Sequence, residues 1–380
     1  MIKRQDFTRF MELFFAVNPD GTKRPFILDR EMFWVPEVNH FLQSISEENG
    51  KTASSHTSRA YGYHLIDWLS YTEEIGLHWK CASHRQLATY RNALARDNSI
   101  LTKRPLKRET INLRLGMICT LYKFMVRQQY ISKLPFEVQD IRVGYPRDQD
   151  EMAHLRPFAG KRTSNTLMYR THARSLEIPS NENIREFIRT FKSWRNRLIA
   201  ELMWVSGLRR SEVCELTVFV MPENLSSTKD EFVVVRVKGK GAKYRKVKLP
   251  IRLLRSVSRY IGTDRSRLLK RSGTKTDQIW LGQNGRPIKP AAINKAFATN
   301  EERCGLKISP HTMRHSYAVN RLRYLQDRKI NSALKILQGE LGHAHLSTTQ
   351  IYLHETDVMR AEVVAEHAGF IKRLSAGNGE

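Results

Sequence analysis

Cysteine is scarce in this chain: four residues, Cys81, Cys119, Cys214 and Cys304, are spread across 380 positions and none forms a C-x-x-C pair. That leaves neither a disulfide framework nor a zinc-ligand spacing, and the four read as free thiols of a reducing cytoplasm. No apolar run approaches the about eighteen residues that a membrane span requires. The short stretch Phe14-Phe15-Ala16-Val17 is too brief, and too interrupted by Arg9 and Glu12, to read as a signal peptide. No G-x-x-x-x-G-K-[ST] loop occurs, so nothing in the sequence points to nucleotide-driven chemistry. Acid is also in deficit, with 38 Asp and Glu against 64 Lys and Arg, a net charge of +26 and a pI near 10.1. A chain that basic repels itself unless it sits on a polyanion, and nucleic acid is the commonest one.

What is present is an ordinary folded protein, with 41% hydrophobic and 27% charged residues. The length suggests two or three domains. Residues 1–35 read as an irregular N-terminal extension with a turn signal at Asn18-Pro19-Asp20-Gly21. From Pro36 to Phe136 the apolar spacing is helical, most clearly over Ser58–Ile75, Ser83–Ala95 and Thr110–Gln129. Lys103, Arg104, Lys107 and Arg108 give this helical domain a basic edge. The periodicity fades over residues 137–177, which read as a basic linker. A last domain, 178–380, starts at Ser180 as a helix cap. It continues through a strongly apolar helix at Asn196–Ser206 and two strands, Phe232–Val235 and Tyr244–Leu249, that flank a glycine turn. The expected class is therefore mainly α with a small β-hairpin: a helical domain followed by a mixed α+β domain.

Four segments in the last domain carry candidate chemistry. Ser206-Gly207-Leu208-Arg209-Arg210-Ser211-Glu212 places an arginine just past a helix end. The strand turn holds Lys238, Lys240 and Lys243, flanked by Arg236, Arg245, Lys246 and Lys248 with no intervening acid, a density that suits contact with phosphates. In Pro310-His311-Thr312-Met313-Arg314-His315 the i, i+3 spacing lets His311 and Arg314 converge on one ligand. Finally, Leu341-Gly342-His343 ends a helix, and Ser347 can cap a new one that presents Tyr352 nine positions after His343. Each segment alone is commonplace. A lone arginine or histidine is more often a surface charge or a bystander, and a lone tyrosine there is more often half-buried packing.

Together and in this order, the segments resemble the tyrosine recombinase (phage integrase) family. Its pattern is an Arg in G-x-R-x-S-E, a hairpin Lys in G-K-G, an H-x-x-R pair, a His in L-G-H, and a Tyr nine positions later. The match runs from about Ile178 onward, and the helical domain before it resembles the family's core-binding domain less specifically. The resemblance implies that Tyr352 is a nucleophile forming a 3′-phosphotyrosyl bond, that Arg209 and Arg314 clamp the phosphate, and that Lys240 is the general acid. It further implies that His311 and His343 bind the phosphate or help take the tyrosine proton, that Glu212 orients a neighbour, and that no metal or cofactor is needed.

Lys238, Lys243 and Arg245 on the hairpin, with Lys103, Arg104, Lys107 and Arg108 in the first domain, are the expected DNA-contacting cations. Arg210 competes with Arg209, Lys238 and Lys243 compete with Lys240 on the same turn, and His315, although it also matches a common position of the family, reads as structural. The implied partner is double-stranded DNA, held in a clamp formed by the two domains. A homo-tetramer on two DNA sites would be linked by an apolar tail helix bearing Val358, Val363, Phe370, Ile371 and Leu374, with or without accessory recombination proteins. The implied setting is cytoplasmic, at the nucleoid, and the implied activity is integration, excision or transposition of mobile DNA. Two alternatives stay open: a type IB topoisomerase or resolvase using the same residues, and a basic DNA-binding regulator without catalysis.

Overall fold

The computed structural model describes residues 11–17, 23–47, 55–97, 104–142, 161–170, 177–223, 225, 229–239, 244–343, 346, 348–353 and 356. The chain divides into two compact units, Met1–Ala173 and Arg174–Glu380.

The first unit is built on four helices, α1 (Pro36–Glu47), α2 (Ser55–Glu74), α3 (His84–Arg96) and α4 (Arg108–Arg127). Their apolar faces close on Leu65, Trp68, Leu87, Tyr90, Leu115 and Tyr122, all essentially without solvent exposure. The buried polar tips are satisfied: Trp68 Nε1 donates to the Tyr122 hydroxyl at 3.1 Å, and that hydroxyl donates to the Trp79 carbonyl.

The N-terminal stretch, expected to be irregular, is instead an antiparallel hairpin of β1 (Glu12–Val17) and β2 (Lys23–Leu28) with Phe14 opposite Phe26. The buried Asn39 of α1 pins it, accepting from the Ile27 amide at 2.7 Å and donating to the Ile27 carbonyl at 2.8 Å. Leu13 lies where a side chain at Gly62 would have to go, so β1 closes directly onto α2. The strands escaped notice because Leu13–Val17 is apolar throughout rather than alternating, and Pro25 sits inside β2.

The stretch read as linker also holds structure. The strands β3 (Val138–Arg142) and β4 (Lys161–Asn165) pair antiparallel. After them Asn112 exchanges hydrogen bonds with the backbone of Tyr169, donating at 2.8 Å and accepting at 2.9 Å, while Arg91 donates to the Leu167 carbonyl. Leu167 and Tyr169 are thus stitched to α3 and α4. Residues 143–160 and 171–176 lie outside the described residues.

In the second unit, α5 (Asn181–Arg189) begins at Ser180, whose hydroxyl accepts from the Asn183 amide. There follow α6 (Trp194–Ser206), the short α7 (Arg210–Cys214), and the antiparallel strands β5 (Phe232–Lys238) and β6 (Tyr244–Pro250). Next come α8 (Ile251–Tyr260), α9 (Ser266–Ser272), α10 (Pro290–Cys304), α11 (Pro310–Asp327) and α12 (Ala333–Leu341). Residues 348–353 are helical as well. One core joins α5, α6, the hairpin, α8 and α10 around Phe187, Met203, Val237, Leu254 and Trp280. A smaller one joins α11 and α12 around Val319, Leu322, Leu337 and Tyr352. Each fully buried Leu or Val contributes at most about 1.5–3 kcal/mol, so these cores make the frame that fixes the polar cluster between them.

Candidate active site

The cluster starts where α6 ends. Gly207 takes a left-handed conformation at φ 63°, and a methyl there would lie 2.4 Å from Cδ1 of Tyr317. Glycine is therefore required both for the turn and for the space. The buried Leu208 anchors the turn, and Arg209 follows at the N-cap of α7. The Glu212 carboxylate accepts from the Arg209 backbone amide at 2.8 Å and from its guanidinium at 2.9 Å. Arg209 also donates to the Gly342 carbonyl at 3.2 Å and keeps 32% of its side chain exposed. Burial opposes the charge of Glu212, but Arg245 and then Arg209 outweigh it and hold the carboxyl below its usual range.

The second arginine is placed by α11, which opens with Ser309 capping the Thr312 amide. His311, Arg314 and His315 leave one face of that helix. Arg314 is only 3% exposed and donates to two backbone carbonyls, Gly207 at 2.5 Å and Leu341 at 2.6 Å. Burial, with Arg209 and Arg245 close by, lowers it to about 10, so it stays charged at neutral pH.

The third part of the cluster comes from the end of α12. Gly342 ends that helix in a left-handed turn at φ 64°, and His343 follows with Nδ1 3.0 Å from the Thr349 hydroxyl. Tyr352 lies across the histidines, with its hydroxyl 3.0 Å from Nδ1 of His315 and its ring stacked near His343 at 6.4 Å between centroids. Burial and the neighbouring cations hold His315 and His343 down to about 4, and His311 below its usual value. All three rings are therefore uncharged at neutral pH, each with one nitrogen able to take a proton. For Tyr352 burial raises the phenol, partly countered by Arg314 and then Arg209.

The nucleophile that the resemblance implies has to present its hydroxyl to a phosphate. Tyr352 is instead 1% exposed and docked on His315. His315, which read as structural, is the residue the hydroxyl touches. Its match to a common position of the family, and its i, i+4 spacing from His311 on the same helix face, were the available signals.

Strand alternation sorts the hairpin cations. Arg236 and Lys238 of β5 and Lys246 and Lys248 of β6 point outward with Tyr244, over which Arg236 sits at 5.2 Å. Arg245, expected among the outward cations, shares the parity of Val247 and Leu249 and points in. It is 9% exposed and paired with Glu212 at 2.8 Å. Lys240 and Lys243 lie outside the described residues, as do Lys103, Ser347 and the tail from Asp357. In the first unit Arg104, Lys107 and Arg108 are exposed, with Arg108 over the Tyr169 ring at 5.7 Å.

A cavity of about 610 Å³ opens at Arg209, Arg210, His311 and Arg314, with Asn294 and Glu301 of α10 on its far wall. Arg210 faces this cavity while Arg209 alone of the pair makes the Glu212 bonds. Among the described residues no group of His, Cys, Asp and Glu is placed to hold a metal ion, and no helix is long and apolar enough to cross a membrane.

The chain is similar to known proteins over most of its length. Residues 179–359 match the phage integrase family and residues 38–129 the phage integrase N-terminal SAM-like domain. A tyrosine recombinase XerC of Myxococcus xanthus is 28% identical over 326 residues, covering 84% of this chain and 93% of the relative. A tyrosine recombinase XerD of Staphylococcus aureus is 30% identical over 242 residues, covering 63% and 70%. Among solved structures, the XerH site-specific recombinase in a post-cleavage complex with a palindromic difH substrate superposes with a TM-score of 0.56. It is 18% identical, with 87% of this chain and 89% of that one covered, a likeness in fold. The chain belongs to the tyrosine recombinases of the phage integrase family, and is an enzyme of that family.

Proposed function

We propose that this enzyme cuts and rejoins double-stranded DNA at specific sites through a phosphotyrosyl intermediate on Tyr352. The observation that carries the reading is the convergence of two arginines, three uncharged histidines and one phenol from α7, α11 and the segment after α12. Guanidinium forks suit the non-bridging oxygens of a phosphodiester and stay charged through the reaction. The phenol oxygen attacks phosphorus, the bond to the 5′-oxygen breaks, and the 3′-phosphate stays on the tyrosine. The phenol proton passes to an imidazole, and His315 is the nearest. Lys240 protonates the departing 5′-oxygen, which attacks again when the strands are rejoined. The phosphotyrosyl bond conserves the energy of the broken one, so resealing needs no nucleotide.

Two features of the site bear on this cycle. A phenol 1% exposed cannot meet phosphorus, so DNA binding has to move the 348–353 helix or its partners and release the hydroxyl from His315. Burial is the first cause that lowers His315 and His343, and a phosphodiester on the arginines would offset part of the cationic field that adds to it, which makes both better proton acceptors in the complex.

The names of the relatives favour recombination between DNA sites over relaxation of one duplex, and a transposon integrase among the structural neighbours extends the reading to mobile DNA. Work on two sites implies several protomers, with the tail after Asp357 as their link. A non-catalytic regulator would have no need of this residue set. The decisive experiment traps the protein on a nicked suicide duplex and maps the adduct. Wild type is expected to form a covalent complex through Tyr352, and Tyr352→Phe to bind the same DNA without an adduct. An adduct on another residue, or one surviving in Tyr352→Phe, would overturn the assignment.

A further inference from the structure

We propose that Arg245 is a positioning residue of this site, setting Arg209 and His343 through a tie between Glu212 and the end of α12. The proposal rests on the function inferred above and deepens it. One outer nitrogen of Arg245 donates to Glu212 Oε2 at 2.8 Å and the other to the Glu340 carbonyl in the last turn of α12. Its Cδ lies 2.8 Å from where a side chain on Gly342 would begin, so the arginine also forms the floor of the turn that presents His343.

Both anchors are themselves held. Glu212 carries Arg209, and Glu340 accepts a two-pronged pair from Arg321 and the Tyr317 hydroxyl, on the ring that fills the space over Gly207. One side chain thus joins three stretches distant in sequence: α7, β6 and α12. It stands at the second position of β6, five residues after Lys240, so a shift of the hairpin is felt at both ends of the tie.

Two facts separate this role from packing. Packing at this inward strand position needs only an apolar side chain like those of Val247 and Leu249. Arg245 is charged, lies beside two other guanidinium groups, and leaves Nε buried without a partner among the described residues, a cost that packing alone would not retain.

The test uses the full chain with Arg245→Lys, which keeps the charge but not the fork, and Arg245→Met. At saturating suicide duplex, Arg245→Lys is expected to lower the rate of adduct formation about a hundredfold, the loss typical of a small misplacement, while DNA affinity and thermal midpoint stay close to wild type. Combining it with Glu212→Gln should cost little beyond the worse single variant, because both break one tie. Carbon-13 histidine spectra read the tie without DNA. In Arg245→Met the His343 resonances should move while His64, in the other unit, keeps its position. An unaltered rate in folded Arg245→Lys, additive losses with Glu212→Gln, or a His343 signal that does not move would each overturn the proposal. A wild-type protein that forms no Tyr352 adduct would refute the function above and leave the histidine spectra to judge the tie by themselves.

Discussion

His315 and His343 show how one side chain can serve both folding and chemistry. Each is held to about 4 against an ordinary 6.5, first by burial and then by the cations and histidines around it. A histidine depressed in the folded state binds fewer protons there than when unfolded. Its stabilisation is complete above about 6.5 and is lost as pH falls toward 4. In the absence of DNA, the thermal midpoint is therefore expected to fall as pH is lowered from 7 to 5. A His315→Gln, His343→Gln double variant should show a flatter decline, and equal declines in the two proteins would count against these environments. At this scale much was readable, because the order of the segments and the family pattern they resemble put Arg209, His311, Arg314, His343 and Tyr352 into one group. Spacing does not say which histidine the phenol touches. That depends on how far the 348–353 helix swings toward α11, a tertiary matter invisible in a motif.

The β5–β6 hairpin shows what an element adds to a list of charges. Seven Lys and Arg lie between Arg236 and Lys246, or just beyond at Lys248, and as a string they look equivalent. The pleat divides them: Arg236, Lys238, Lys246 and Lys248 face outward, and Arg245 faces the core. If the outward face lies on phosphates, removing one of its ammonium groups, as Lys246→Gln or Lys248→Gln does, should reduce the slope of log affinity against log salt by about 0.9, with the thermal midpoint unchanged. A constant slope would place the DNA elsewhere. The helices were legible because their 3.6-residue pattern is strong and their starts and stops are marked, as at Ser180 and Gly342. The β1–β2 and β3–β4 pairs were not. One is apolar on both faces, and the other, in VQDIR and KRTSN, has too few apolar residues for any period.

For the whole molecule, the excess of 64 basic over 38 acidic residues is the dominant fact. Spread over many phosphate contacts, it should make affinity for duplex DNA fall by about a thousandfold or more between about 50 and 200 mM salt, measured by titration of a labelled duplex. A weak dependence would separate the basic surface from the binding surface. The division into units at Ala173 and Arg174 could not be located from composition, because Leu167 and Tyr169 read as linker yet are bonded to α3 and α4.

Among the described residues, Arg314 is gripped by the main-chain oxygens of Gly207 and Leu341, not by side chains. Every residue type supplies a carbonyl, so no substitution at position 341 can delete that grip. Evolutionary drift around this arginine is thus free wherever the local backbone trace survives, and an inventory of side-chain partners would underrate how firmly it is seated.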